Sequence, residues 1–230
     1  MNYNDKNIEQ ALRERILILD GAMGTLIQSK ELRESDYATG PFAGWPVALK
    51  GNNDVLNLSR PDVIRAIHRS YIEAGSDVIT TNTFNCTRIS QQEYSCQEQV
   101  GAMALAGARL AREAADAAGR TVWVAGSLGP TSKSLSLPSD VNVPESRAAS
   151  FDEMASCYRE TVRALREGGV DVLLLETCYD ALNAKAALYA ISQVDEELGC
   201  RIPVMLSVTV NDRSGRTLTG QTLAAFYCSV

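Results

Sequence analysis

The chain contains no GxGxxG or GxxxxGK glycine loop, no HExxH helix and no CxxC pair. The first two absences remove the usual marker of nucleotide-binding open sheets. The other two leave no convincing zinc site within these residues. Histidine occurs once, as His68, in a periodic helical stretch away from any strand end. Ser-His-Asp or Cys-His catalysis would rest on that single badly placed residue, which reads as a surface or interface group. Basic charge is scarce: 22 Lys and Arg stand against 28 Asp and Glu, a net charge of −6. No basic stripe with interleaved aromatics occurs, so nucleic acid is not expected as a partner. No apolar run approaches the roughly 20 residues of a bilayer span, so no membrane partner is expected either. Residues 1–15 are polar and lack the apolar core of a secretory signal, and the sequence reads as cytoplasmic. The six cysteines are scattered without a framework and read as reduced thiols.

What is present is ordinary globular material. Its 230 residues suffice for one large domain or two small ones, with 45% hydrophobic and 22% charged residues. Five apolar, β-branched-rich runs recur, at 16–19, 77–81, 122–125, 172–175 and 204–210. Helical periods separate them. Pro61 suits a first helical position, Val63, Ile64, Ile67 and Tyr71 form a stripe, and Gly75 marks the stop. An Ala-rich helix is expected over 97–118. Ser150 and Glu153 fit a capping box, followed by Met154, Cys157, Tyr158, Thr161, Val162 and Leu165 at helical spacing up to Gly168. A fourth helix runs over 181–198, with Asp180 as N-cap.

Strand, helix, strand repeated in this way predicts right-handed βαβ units and a parallel sheet, an α/β fold. A doubly wound sheet and a (β/α)₈ TIM barrel compete. Several runs end in polar residues (Asp20, Asn82, Ser127, Glu176), and a barrel builds its site from many strand ends, so the barrel is preferred. About five of its eight βα units would be present. Residues 30–60 and 129–150 read as long irregular insertions over the active face.

Asp20 and Glu176 each close an apolar run that reads as a buried strand. Two convergent carboxylates can divide acid and base roles, as in glycosidases, or hold a cationic group such as an α-ammonium. Capping a helix or pairing with a surface Lys or Arg is the equal alternative for each. Gly21, Ala22 and Gly24 leave backbone N–H groups approachable by an anion, which suits the other end of an amino-acid zwitterion. Cys178 lies beside Glu176 and Asp180, acidic company that disfavours a thiolate, and reads as a bystander. Cys157 falls on an apolar stripe. Ser207 and Thr209 alternate with Leu206 and Val208 and would point into the barrel or fill its polar layer.

At these residues the sequence strongly resembles the opening of cobalamin-dependent methionine synthase, in the homocysteine S-methyltransferase family. The resemblance is carried by 15–28, by Lys50-Gly-Asn-Asn-Asp54, by 73–85 and by Gly126-Ser-Leu-Gly-Pro-Thr131. Residues 176–187 and 214–222 extend it over nearly the whole chain. It implies a (β/α)₈ barrel that binds homocysteine and zinc, the zinc-bound thiolate taking a methyl group from methylcobalamin to give methionine. Asp20 and Glu176 then match the acids that hold the ammonium, and Gly21 and Ala22 the backbone donors to the carboxylate. Asn82, Thr83 and Ser127 match strand-end positions lining the pocket.

The family's three zinc cysteines come from the sixth and eighth strands, and none of the six cysteines here occupies such a position. The resemblance therefore implies zinc ligands beyond Val230, and cobalamin and folate on further domains. Residues 1–230 are expected to form the N-terminal part of a homocysteine-binding domain, C-terminally truncated. Such a piece is expected to be inactive in methyl transfer, to hold no tight zinc and to associate through its open edges unless the rest of the barrel completes it. The alternatives are a non-catalytic amino-acid-binding fragment and a homocysteine methyltransferase using a non-cobalamin donor.

Overall fold

The computed structural model describes residues 7–210 and 213–230. Before the first strand come α1 (Ile8–Glu14), α2 (Met23–Gln28), α3 (Glu34–Tyr37), α4 (Leu56–Ser59) and α5 (Pro61–Glu73). Then follow β1 (Val78–Thr80), α6 (Arg88–Gln91), α7 (Val100–Asp116), β2 (Trp123–Leu128) and α8 (Phe151–Glu167). The chain continues through β3 (Val172–Cys178), α9 (Ala181–Leu198), β4 (Val204–Val208) and α10 (Leu223–Ser229).

Among the described residues the sheet has four strands in the order β1-β2-β3-β4. Every pairing is parallel, with Val78 opposite Trp123, Ala125 opposite Val172 and Leu173 opposite Val204. This is the α/β arrangement of successive βαβ units, in an open sheet that corresponds to part of a barrel. The side-chain period of two separates its faces. Ile79, Val124, Leu128, Leu173 and Leu175 pack against Met154, Tyr158, Val162, Leu165 and Ile191 of the helical layer. Val78, Trp123, Ala125, Val172 and Leu174 point the other way and cluster with Ile8 of α1.

The capping box forms as expected: Glu153 N–H donates to Ser150 Oγ (3.2 Å) and Ser150 N–H donates to Glu153 Oε2 (2.7 Å). Asp180 caps α9, accepting from Leu182 N–H at 2.9 Å.

Three expectations are corrected. Residues 16–19 are not a buried strand. They make one parallel bridge, Leu19 to Val78, and leave Ile16 84% and Ile18 54% exposed. The segment lies at the edge of the sheet, and the Asp77 carboxylate takes Ile18 N–H (2.9 Å) in place of a ladder partner. So four strands and one bridge stand where five strands were expected. His68 is not a surface residue: it is 0% exposed. It falls on the stripe Ile64, His68, Ile72 at i, i+4 and i+8, a periodicity that outweighs its polarity. Burial pushes its pKa down to about 4. Finally, residues 30–60 are no loose insertion, because Tyr37, Phe42, Leu49, Val55 and Leu56 build a second core with Ile27, Ile64 and Ile67.

Candidate functional site

Alternation along the strands places the polar residues. On β2, Trp123 and Ala125 face inward, so Ser127 does too; on β3, Val172 and Leu174 are followed by Glu176; on β1, Val78 is followed by Thr80. Each polar side chain thus sits one step beyond the apolar inner layer, at the C-terminal rim. A cavity of about 370 Å³ opens there. Asp20, Gly21, Ala22, Asn82, Ser127 and Glu176 all line it, and among the described residues no Lys, Arg or His does.

Asp20 follows the edge segment. Its carboxylate accepts from Thr80 N–H at 2.8 Å and from Thr80 Oγ1 at 3.0 Å. Burial raises its pKa to about 6, and the nearby negative charge of Glu176 adds to the rise, while the two Thr80 bonds oppose it. Glu176 accepts from Ser127 Oγ at 2.5 Å. The β3–β4 register shifts between Leu175 and Cys178, and Thr177 there adopts φ +58°. A β-branched residue in the left-handed region is strained, so the backbone beside Glu176 is held by its surroundings rather than by local preference.

Gly21 lies against Tyr71: a Cβ at this position would meet the Tyr71 hydroxyl oxygen at 3.0 Å. Asn82 ties the wall together, donating from Nδ2 to Asn53 O (2.8 Å) and Asn57 Oδ1 (3.1 Å). Thr83 lies behind the wall, buried, with its hydroxyl donating to Ser127 O at 2.7 Å. Thr81 Oγ1 contacts Thr83 Oγ1 (2.6 Å) and accepts from Ser127 N–H (2.9 Å), joining the ends of β1 and β2. Cys178 is buried, and burial with the charge of Glu176 pushes its thiol up to about 12, so it stays protonated.

Sequence reasoning did not single out Thr80 or Asp54. Thr80 has no motif signal beyond its place at a strand end. Asp54 was visible within Lys50-Gly-Asn-Asn-Asp54, but only as a mark of resemblance. It lines the same cavity, is buried, and is raised to about 7 by desolvation against hydrogen bonds from Asn85 N–H and Gln91.

The zinc implied by the resemblance has no matching donor set here. Among the described residues no three or more His, Cys, Asp or Glu come together in a way that could hold a metal ion. Cys86, Cys96, Cys157 and Cys178 are buried singly in packed regions, while Cys200 and Cys228 are exposed.

The fold has solved counterparts. The homocysteine methyltransferase MmuM from Escherichia coli matches in its metallated form with TM-score 0.72 and 22% identity, over 96% of this chain and 73% of that one. Its oxidised form matches with TM-score 0.71 and 24% identity, over 96% and 74%. Its apo form gives 0.64 and 23%, over 95% and 70%. Residues 17–230 match the family model of homocysteine S-methyltransferase, and the chain therefore belongs to that family.

Proposed function

We propose that this chain binds homocysteine and presents its thiol for methylation, as the N-terminal part (1–230) of the homocysteine-binding domain of a cytoplasmic, cobalamin-dependent methionine synthase. The observation that carries the reading is the pairing of Asp20 and Glu176 across one cavity on whose wall, among the described residues, no basic side chain stands. An α-ammonium between them satisfies both acids and offsets the desolvation that raises Asp20. Gly21 and Ala22 offer their backbone to the α-carboxylate, and Ser127 orients Glu176. Asn82 and Thr83 hold the rim on which these groups stand.

In the reaction the thiol loses its proton and the sulfur lone pair takes the methyl carbon. The donor keeps the electron pair of the bond that breaks. Assignment of methylcobalamin as that donor, on further domains, rests on the sequence resemblance, as does the expectation that the zinc ligands lie outside these residues.

Titration calorimetry with homocysteine and with its analogue lacking the amine tests the reading. A charge-assisted hydrogen bond is worth about 1.5–3 kcal/mol, so the analogue should bind roughly 10- to 100-fold more weakly. Equal affinities would end the ammonium assignment.

A further inference from the structure

Phe84 is the one aromatic side chain among the described residues that line the cavity. It is 37% exposed, whereas Asn82 and Thr83 just before it are buried. A single exposed phenyl group on an open surface needs no explanation. This one is placed by the strand that carries the site. The inward positions of β2 are Trp123, Ala125 and Ser127, and the same alternation, carried one residue past the strand end, makes Gly129 the next. A Cβ on Gly129 would meet the Phe84 ring at 2.9 Å and Phe84 O at 2.3 Å. The ring therefore takes the space that a side chain at 129 would fill, roughly 7 Å beyond Ser127, two residues of strand rise. Its backbone is pinned there. Gly129 N–H donates to Phe84 O (3.0 Å), and the Tyr158 hydroxyl donates to Gly129 O (3.1 Å).

The cavity thus has three levels along the strand direction. Leu174 forms its floor, in one cluster with the buried Val172, Trp123 and Ala125. Ser127 and Glu176 stand one step above, joined by their hydrogen bond, and Phe84 stands above them. An amino acid whose ammonium sits between Asp20 and Glu176 finds the inner layer closed by Leu174, so its side chain runs outward, toward Phe84. We propose that Phe84 is a specificity-determining residue that packs against the side-chain methylenes and sulfur of the bound amino acid, a role that rests on the homocysteine reading above. The chemistry of the tail suits the ring. Two methylenes gain from leaving water, and a polarisable sulfur makes favourable contacts with aromatic rings. Asp20 and Glu176 read the ammonium that every amino acid carries. Phe84 reads what differs between them, the length and polarity of the tail.

The test is calorimetric titration of the 230-residue chain at pH 7 with 2-aminobutyrate, norvaline and norleucine. These share the amino-acid head and lengthen the apolar tail by one methylene at a time. Affinity for the unaltered chain should rise about fourfold per methylene, as burial of each against the ring implies. Phe84→Ala should cut the rise to less than about twofold per methylene and leave 2-aminobutyrate binding within about twofold of its starting value. Phe84→Gln, which keeps the bulk but presents an amide, should do the same. An unaltered chain that binds all three ligands equally would overturn the proposal while leaving the ammonium reading in place. So would variants that keep the full rise, since another wall would then hold the tail. Variants that weaken all three ligands alike, with circular dichroism unchanged, would also overturn it, because the ring would then only support the rim. If none of the three binds the unaltered chain, the homocysteine reading falls and the Phe84 assignment falls with it.

Discussion

The middle of the sheet and its margins are built from similar residues and behave differently. All six residues of β2 are buried, and Val172, Leu173, Leu174 and Leu175 of β3 are as well. At one margin Ile16 and Ile18 are largely exposed; at the other Leu206 of β4 is 38% exposed. Apolar composition is shared, but only the central strands have a neighbour on each side and layers on both faces. The site spans this divide. Glu176 and Ser127 rise from the buried centre, whereas Asp20 stands on the edge segment and depends on Thr80 and Asp77 to stay aligned. One acid is thus placed by packing and the other by a few hydrogen bonds.

The largest expected effect separates centre from margin directly. Leu173→Ala removes a fully buried side chain packed beside Gly126 and Leu165, and should cost about 2–5 kcal/mol in denaturant unfolding. Ile16→Ala should stay within about 0.5 kcal/mol. Comparable losses would erase the distinction.

His68 sharpens the comparison behind β1. Its pKa is depressed to about 4 in the folded chain against 6.5 unfolded. The unfolded state therefore binds the extra proton between these values, and the stability His68 contributes is lost as pH falls from 6.5. Asp20 and Asp54, raised to about 6 and about 7, act in the opposite sense: their contribution is present at low pH and lost as pH rises through those values. His68→Leu should isolate the histidine, gaining on the unaltered chain by on the order of 3 kcal/mol by pH 4. Parallel stability curves for the two proteins would contradict a neutral buried imidazole.

A smaller effect probes the anchor of the edge. Asp77 accepts from Ile18 N–H and from Nη1 and Nη2 of Arg15, each at 2.9 Å. The Arg15 side chain is half exposed, so Arg15→Ala should cost less than about 1 kcal/mol. Asp77→Ala should cost about 1–3 kcal/mol by leaving the Ile18 amide unpaired, and should weaken homocysteine through misplacement of Asp20. An affinity unchanged in Asp77→Ala would show that Thr80 alone aligns Asp20.

Local signals were legible where chemistry and structure stay close in sequence. The Ser150–Glu153 box and its stripe define α8, and Asp180 caps α9. Asp20, Ser127 and Glu176 could be placed at a rim because each ends an apolar run. The burial of 16–19 could not be read, since it depends on what lies beside the segment and not on its own residues. His68 was hidden by its polarity, although its spacing from Ile64 and Ile72 carried the signal. The environment of Asp54 depends on Asn85 and Gln91, more than thirty residues away in sequence, and on a core formed by 30–60.

The central claim is that Asp20 and Glu176 jointly hold an ammonium. Methionine, which leaves thiol chemistry aside, tests it most directly by calorimetry at pH 7 on the unaltered chain, Asp20→Asn, Glu176→Gln and the double variant. Each single change should weaken binding about 10- to 100-fold, and the double change should abolish measurable binding. Retention of full affinity in the double variant, with its fold intact by circular dichroism, would contradict the account.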